Sequence, residues 1–101
     1  MHLKETQEQV DQWISQYGGY WSPLSMLARL TEETGELARE LNKVYGMKRA
    51  KPEEKQQSIE GEIGDILITL ICMSNALHID LEIVFAKTME KLTQRDSKTY
   101  T

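Results

Sequence analysis

Apolar residues in this chain recur every three or four positions, in four runs separated by helix-breaking residues, and nowhere show the alternation a strand requires. That rhythm restricts the chain to helices packed on helices. Leu3, Val10, Trp13, Ile14 and Tyr17 share one helical spacing, so a first helix is expected over about 3–17, stopped by Gly18-Gly19. Ser22-Pro23 reads as an N-cap followed by proline at the first helical position, opening a second helix over 23–45 that ends at Gly46. Leu27, Leu30, Leu37, Leu41 and Val44 fall on one of its faces. A charged connection from Met47 to Gln57, containing Lys48, Arg49, Lys51 and Pro52, leads into a third helix over about 53–76. Between Ile63 and Met73 this helix is apolar on nearly every side, as a central helix or a subunit interface would be. Asp80 is the expected N-cap of a fourth helix over about 81–95, with Leu81, Val84, Phe85, Thr88 and Leu92 turned inward and Asp96 to Thr101 frayed or partner-dependent. The expected fold is all-α and bundle-like, in a single domain over residues 1–101.

At 101 residues a lone four-helix chain buries only a modest core, and surplus apolar surface would point to self-association. The net charge of −4 argues against a nucleic-acid surface, which needs a basic face. A small anionic ligand stays compatible with it, because local basic residues and metals offset the field. The single cysteine, Cys72, allows no intrachain disulfide and reads as a buried, reduced thiol. Met1 to Gln12 is polar and lacks the apolar core of a signal peptide. The apolar stretch Ile63 to Met73 is too short, and too interrupted by Gly64, Asp65 and Thr69, to span a bilayer. A cytoplasmic protein without a membrane partner is expected.

The informative feature is a set of acids on faces that should be buried. A helix turns about 100° per residue, so Glu33 lies only about 40° from Leu37, and Glu36 one turn on, roughly 60° further out. On the third helix Glu62 sits within the cluster of Ile59, Ile66, Leu70 and Met73, and Asp65 follows one turn later beside Thr69. A buried carboxylate must be protonated, paired or bound to metal. Arg29 and Arg39 are the basic candidates for pairing, and both lie off the apolar stripe. A divalent cation resolves the conflict more simply, and four hard oxygens suit magnesium or manganese. A di-iron bundle would add histidine through Glu-x-x-His, and neither acid pair contains it.

At these residues the chain resembles the MazG-like, all-helical nucleotide pyrophosphohydrolases, whose pattern is E-E-x-x-E followed by E-x-x-D. Here the two elements read Glu32-Glu33-Thr34-Gly35-Glu36 and Glu62-Ile63-Gly64-Asp65, and the stretch Lys87 to Arg95 resembles the family's basic C-terminal helix. The likeness covers roughly Pro23 to Arg95. It implies cleavage of a nucleoside triphosphate to the monophosphate and pyrophosphate, as in clearance of the nucleotide pool. It also implies a magnesium site at Glu33, Glu36, Glu62 and Asp65, and a homodimer or homotetramer. The chain departs from the pattern at Met89, where members often carry Asn, and at Ser58, near which a lysine is common.

On this reading metal neutralises phosphate oxygens and activates water for attack on the α-phosphorus, with one ion or two per site. Glu36 shares in the chemistry, and Glu32 or Glu40 orients or deprotonates the water. Lys87, Lys91 and Arg95, spaced four apart, fall on one strip. They serve either as phosphate ligands or as a solvated basic strip near a helix C-terminus; the resemblance favours function for Lys91 and Arg95. Trp21, with Tyr20, is placed to stack on a base, whereas Trp13 is expected to cap the bundle and Met26, Met73 and Met89 to fill core. Two rival readings remain: a non-catalytic helical interaction module stabilised by a structural cation, and an enzyme like phosphoribosyl-ATP pyrophosphohydrolase.

Overall fold

The computed structural model describes residues 2–46 and 52–100, apart from the side chains of 52–57 and 96–100, so Lys48, Arg49 and Lys51 lie outside the described residues. It contains four helices: α1 (Leu3–Ser15), α2 (Pro23–Tyr45), α3 (Pro52–Ala76) and α4 (Leu81–Tyr100). The described residues form no strand. No single helix among them is long and apolar enough to cross a membrane.

Helix ends follow local chemistry. The last turn of α1 tightens, with Gln16 N–H donating to the Trp13 carbonyl and Tyr17 N–H to that of Ile14, so Tyr17 leaves the expected helix. Gly18 takes φ 99° and Gly19 φ 89°, and Gly19 N–H reaches back to the Ile14 carbonyl at 3.1 Å. Only glycine enters that region without steric cost. Ser22 caps α2 by accepting from Ser25 N–H at 3.2 Å, and Pro23 follows at its start. The turn after α3 repeats the device with His78 at φ 58°, and Ile79 N–H donates to the Ser74 carbonyl at 2.8 Å. Asp80 caps α4 by accepting from Glu82 N–H at 2.9 Å. α4 continues to Tyr100, past the expected stop at Arg95.

Helix packing is uneven. α2 and α3 pair along their length, α1 lies across α3, and α4 bends 110° away from α3 and packs on α1. Val10, Met26, Ile71 and Cys72 form the buried core, flanked by Ile14, Tyr20, Met73, Ala76 and Leu81. A buried polar network ties these elements together. Gln7 Nε2 donates to Asn75 Oδ1 at 2.9 Å and to the Ile79 carbonyl at 2.8 Å, while its Oε1 accepts from Leu81 N–H at 2.9 Å. Asn75 Nδ2 donates to the Gln7 carbonyl and to the Tyr20 hydroxyl, both at 3.0 Å, and Tyr20 O–H donates to Asp11 Oδ1 at 2.5 Å. One glutamine thereby fixes α1 against the end of α3 and caps α4.

The inward stripe expected on α4 is not realised within one chain. Leu81 and Leu92 are half-buried, but Val84, Phe85 and Thr88 are exposed, Phe85 at 59 %. Leu27 and Leu41 on α2 are exposed as well, as is Met89, which therefore fills no core. α3 leaves Ile63, Leu67, Ile68 and Leu70 in solvent. The radius of gyration is 16.8 Å, against about 13 Å for a closed domain of this length. The bend at Leu77 to Asp80 carries α4 away from α3, so Leu81 reaches the core while Val84, Phe85 and Thr88 stay in solvent.

The polar network makes a definite demand on stability. Gln7→Ala leaves Asn75 Oδ1, the Ile79 carbonyl and Leu81 N–H without their partner, which costs about 2–3 kcal/mol. Urea unfolding should show that loss; a loss below about 0.5 kcal/mol, the level of an ordinary surface change, would show the network to be idle.

Candidate metal centre

The paired helices run antiparallel, and that direction matters for the acids. Glu36 meets Glu62, while Glu33, one turn earlier on α2, reaches both Glu62 and Asp65. The i,i+3 spacing within each helix places each pair on neighbouring turns of one side. Ligand oxygens of Glu33, Glu62 and Asp65 all lie within 4.8 Å of one another. Glu33 is buried at 3 % exposure, whereas Asp65 reaches solvent. Glu33 Oε2 and Glu62 Oε2 are both shielded from water and have no hydrogen-bond partner among the described residues.

Crowding of this kind shows in the acid–base chemistry. The Glu62 carboxyl is pushed up to about 7, first by sharing a hydrogen bond with Glu33, then by burial, then by the charge of Glu36. Three carboxylates at mutual ligand distance, with buried oxygens unsatisfied, fit a hard divalent ion, and the donors are all oxygen. No histidine or cysteine joins the described group.

Other sequence-derived candidates fall in different places. Glu32 is exposed on α2, and Glu40 is engaged by Lys43 Nζ at 3.2 Å, with Arg39 Nε at 4.0 Å. Arg29 corrects an expectation: lying off the apolar stripe does not keep it from the acids, and its Nε stands 3.0 Å from Glu33 Oε1. Lys87, Lys91 and Arg95 are exposed on α4, which packs on α1.

Beside the acids lies a cleft of about 370 Å³ between α1, α2 and α3. Asp65, Arg29, Trp13, Tyr20 and Trp21 line it, with Met26 and Cys72 from the core. Trp13 was expected as a cap of the bundle. It stands instead 57 % exposed on the cleft wall, its ring 4.8 Å from that of Tyr17. Burial raises the Cys72 thiol above its ordinary value, so it stays neutral and forms apolar wall. Sequence reasoning missed Trp13 and Arg29 as neighbours of the acids. The signal for Arg29 was present, since arginine one turn before glutamate pairs at i,i+4.

Comparison with known proteins agrees with this geometry. Residues 21–100 match the MazG nucleotide pyrophosphohydrolase domain. The chain is 49 % identical to YpjD of Bacillus subtilis over 98 % of its own length and 90 % of that protein. It is 32 % identical to YvdC of the same organism, over 74 % of this chain and 76 % of the relative. The fold superposes on the crystal structure of a Bacillus-conserved MazG protein, a nucleotide pyrophosphohydrolase, with TM-score 0.78 and 48 % identity, covering 91 % of this chain and 90 % of the other. With the crystal structure of YPJD from Bacillus subtilis the TM-score is 0.81 and the identity 50 %, covering 90 % and 94 %. The four-helix fold is thus shared, and the chain belongs to the MazG family of all-α nucleotide pyrophosphohydrolases.

Proposed function

We propose that this chain hydrolyses a nucleoside triphosphate to the monophosphate and pyrophosphate, with magnesium or manganese held by Glu33, Glu36, Glu62 and Asp65. The observation that carries this reading is the convergence of the Glu33, Glu62 and Asp65 oxygens within 4.8 Å, two of the buried carboxylate oxygens there having no partner. The ion supplies charge neutralisation on phosphate oxygens and a lowered pKa for water. Glu32 stands one turn before Glu36 on α2 and accepts the proton of the attacking water; Glu40 is already paired with Lys43. The base lies in the cleft against Trp21, where stacking holds any base by its π-face.

A second copy of the chain covers the exposed apolar sides of α3 and α4, and brings the Lys87, Lys91 and Arg95 strip of its own α4 toward the phosphates. This accounts for an apolar face on α4 that one chain leaves in water. A purely structural cation would need neither the cleft nor the basic strip, which sets the interaction-module reading behind this one.

Three measurements test the proposal. A triphosphate with magnesium should yield monophosphate and pyrophosphate in equal amounts; orthophosphate as first product would overturn the cleavage position. Glu62→Gln should lower turnover about a hundredfold or more with helix content kept, since a metal's charge stabilisation amounts to several kcal/mol. Mixing Glu62→Gln protein with Lys91→Ala protein should restore activity if subunits exchange parts of a site; a mixture as inactive as its components would sink the shared site.

The acid cluster also fixes a pH dependence. Folding lifts Glu62 from an ordinary value near 4.5 to about 7, so between those values the folded chain holds the extra proton. The part of the metal-free protein's stability that depends on Glu62 is therefore full below about 4.5 and is lost as pH rises through about 7. In chelator the melting temperature should drop from pH 5 to pH 8, and magnesium should restore it at pH 8. A melting temperature that rises over that interval in chelator would contradict the crowding.

A further inference from the structure

Arg29 occupies a position that the acid cluster alone does not explain. It sits one turn before Glu33 on α2, and its Nε approaches Glu33 Oε1 at 3.0 Å. Glu33 is buried, its side chain 4 % exposed, whereas the Arg29 side chain is 48 % exposed. The recorded contact is through Arg29 Nε to Glu33 Oε1, and Glu33 Oε2 has no hydrogen-bond partner among the described residues. An arginine serving only to neutralise a carboxylate would present its planar edge to both oxygens. This one meets Glu33 through Nε and also lines the cleft.

The guanidinium lines the cleft together with Asp65, Trp13 and Trp21. It thus touches the carboxylate cluster at Glu33 and shares a cleft with the aromatic side chains. A nucleotide with its base in the cleft and its reacting phosphorus at the carboxylates must lay its phosphates across this point. Arg29 is in ion-pair contact with the cluster through Glu33. We infer that Arg29 is a phosphate-binding residue, holding Glu33 through Nε and taking phosphate oxygens with its terminal N–H groups; this rests on the pyrophosphohydrolase reading above. The ligand chemistry is a polyphosphate oxyanion. Lysine cannot replace it, because a point charge without the planar donor array cannot serve both oxyanions in fixed directions.

Arg29→Lys and Arg29→Gln test this with two readouts. KM for the triphosphate should rise about tenfold or more in the first and further in the second, as expected for lost hydrogen bonds to a charged group. Mn²⁺ affinity without nucleotide should be unchanged in Arg29→Lys, which keeps the positive charge beside Glu33, and unchanged or tighter in Arg29→Gln, which removes it. Calorimetric titration of the manganese-loaded protein with inorganic pyrophosphate should show the same tenfold weakening. An unchanged KM and pyrophosphate affinity, or a loss that merely follows weaker Mn²⁺ binding, would mean that Arg29 only braces Glu33. If Arg29→Gln fails to fold, Arg29→Lys still decides, because it retains the charge beside Glu33. A wild-type protein that turns over no triphosphate would sink the enzymatic reading, while the pyrophosphate titration would still decide the role of Arg29.

Discussion

Everything distinctive about this fold depends on carboxylates forced together at a helix–helix seam. Pairing α2 with α3 buries apolar surface, and the same pairing presses Glu33 against Glu62 and Asp65. Helix periodicity leaves no alternative, because side chains one turn apart must share a side. The seam is consequently an unfavourable place for an empty protein: buried oxygens lack partners and Glu62 holds its proton toward neutrality. Local conflict of this kind, inside otherwise consistent packing, is where function is expected to reside.

The rest of the molecule compensates by stiffness rather than by core volume. Four residues form the buried apolar core. Around it, Gln7, Asn75 and Tyr20 link α1, the end of α3 and the start of α4 through fully used amide groups. Tyr20 is drawn above its ordinary value, to about 12, by burial and by its bond to Asp11, so its hydroxyl remains a donor throughout the physiological range. The network also supports the loop that carries Trp21, and hence one wall of the cleft beside the acids. A rigid surround of this kind is what a preorganised site requires.

Apolar surface is distributed oppositely to the usual pattern of a small domain. α3 and α4 expose Ile63, Leu67, Val84 and Phe85 while the polar Gln7, Glu33 and Ser74 are buried. The bend of 110° between these helices is the reason, since it prevents α4 from closing a bundle around α3. Membership of the MazG family sets that openness in the context of nucleotide chemistry.

Helix number, type and most boundaries were legible in the sequence, because capping and periodicity are local. Ser22-Pro23, Gly18-Gly19 and Asp80 act on backbone groups within a turn of themselves, and the structure shows them at those ends. The acids on apolar faces were legible for the same reason: angles around a helix follow from spacing. Whether α4 would close over α3 was not, since the direction of a chain after a turn depends on packing among distant residues. For that reason the expected inward stripe at Val84, Phe85 and Thr88 faces solvent, Trp13 lines a cleft, and Arg29 reaches Glu33. The sequence by itself determined which residues share a helix face. Only the tertiary structure decided which faces meet, because burial is settled by whatever surface another helix happens to cover.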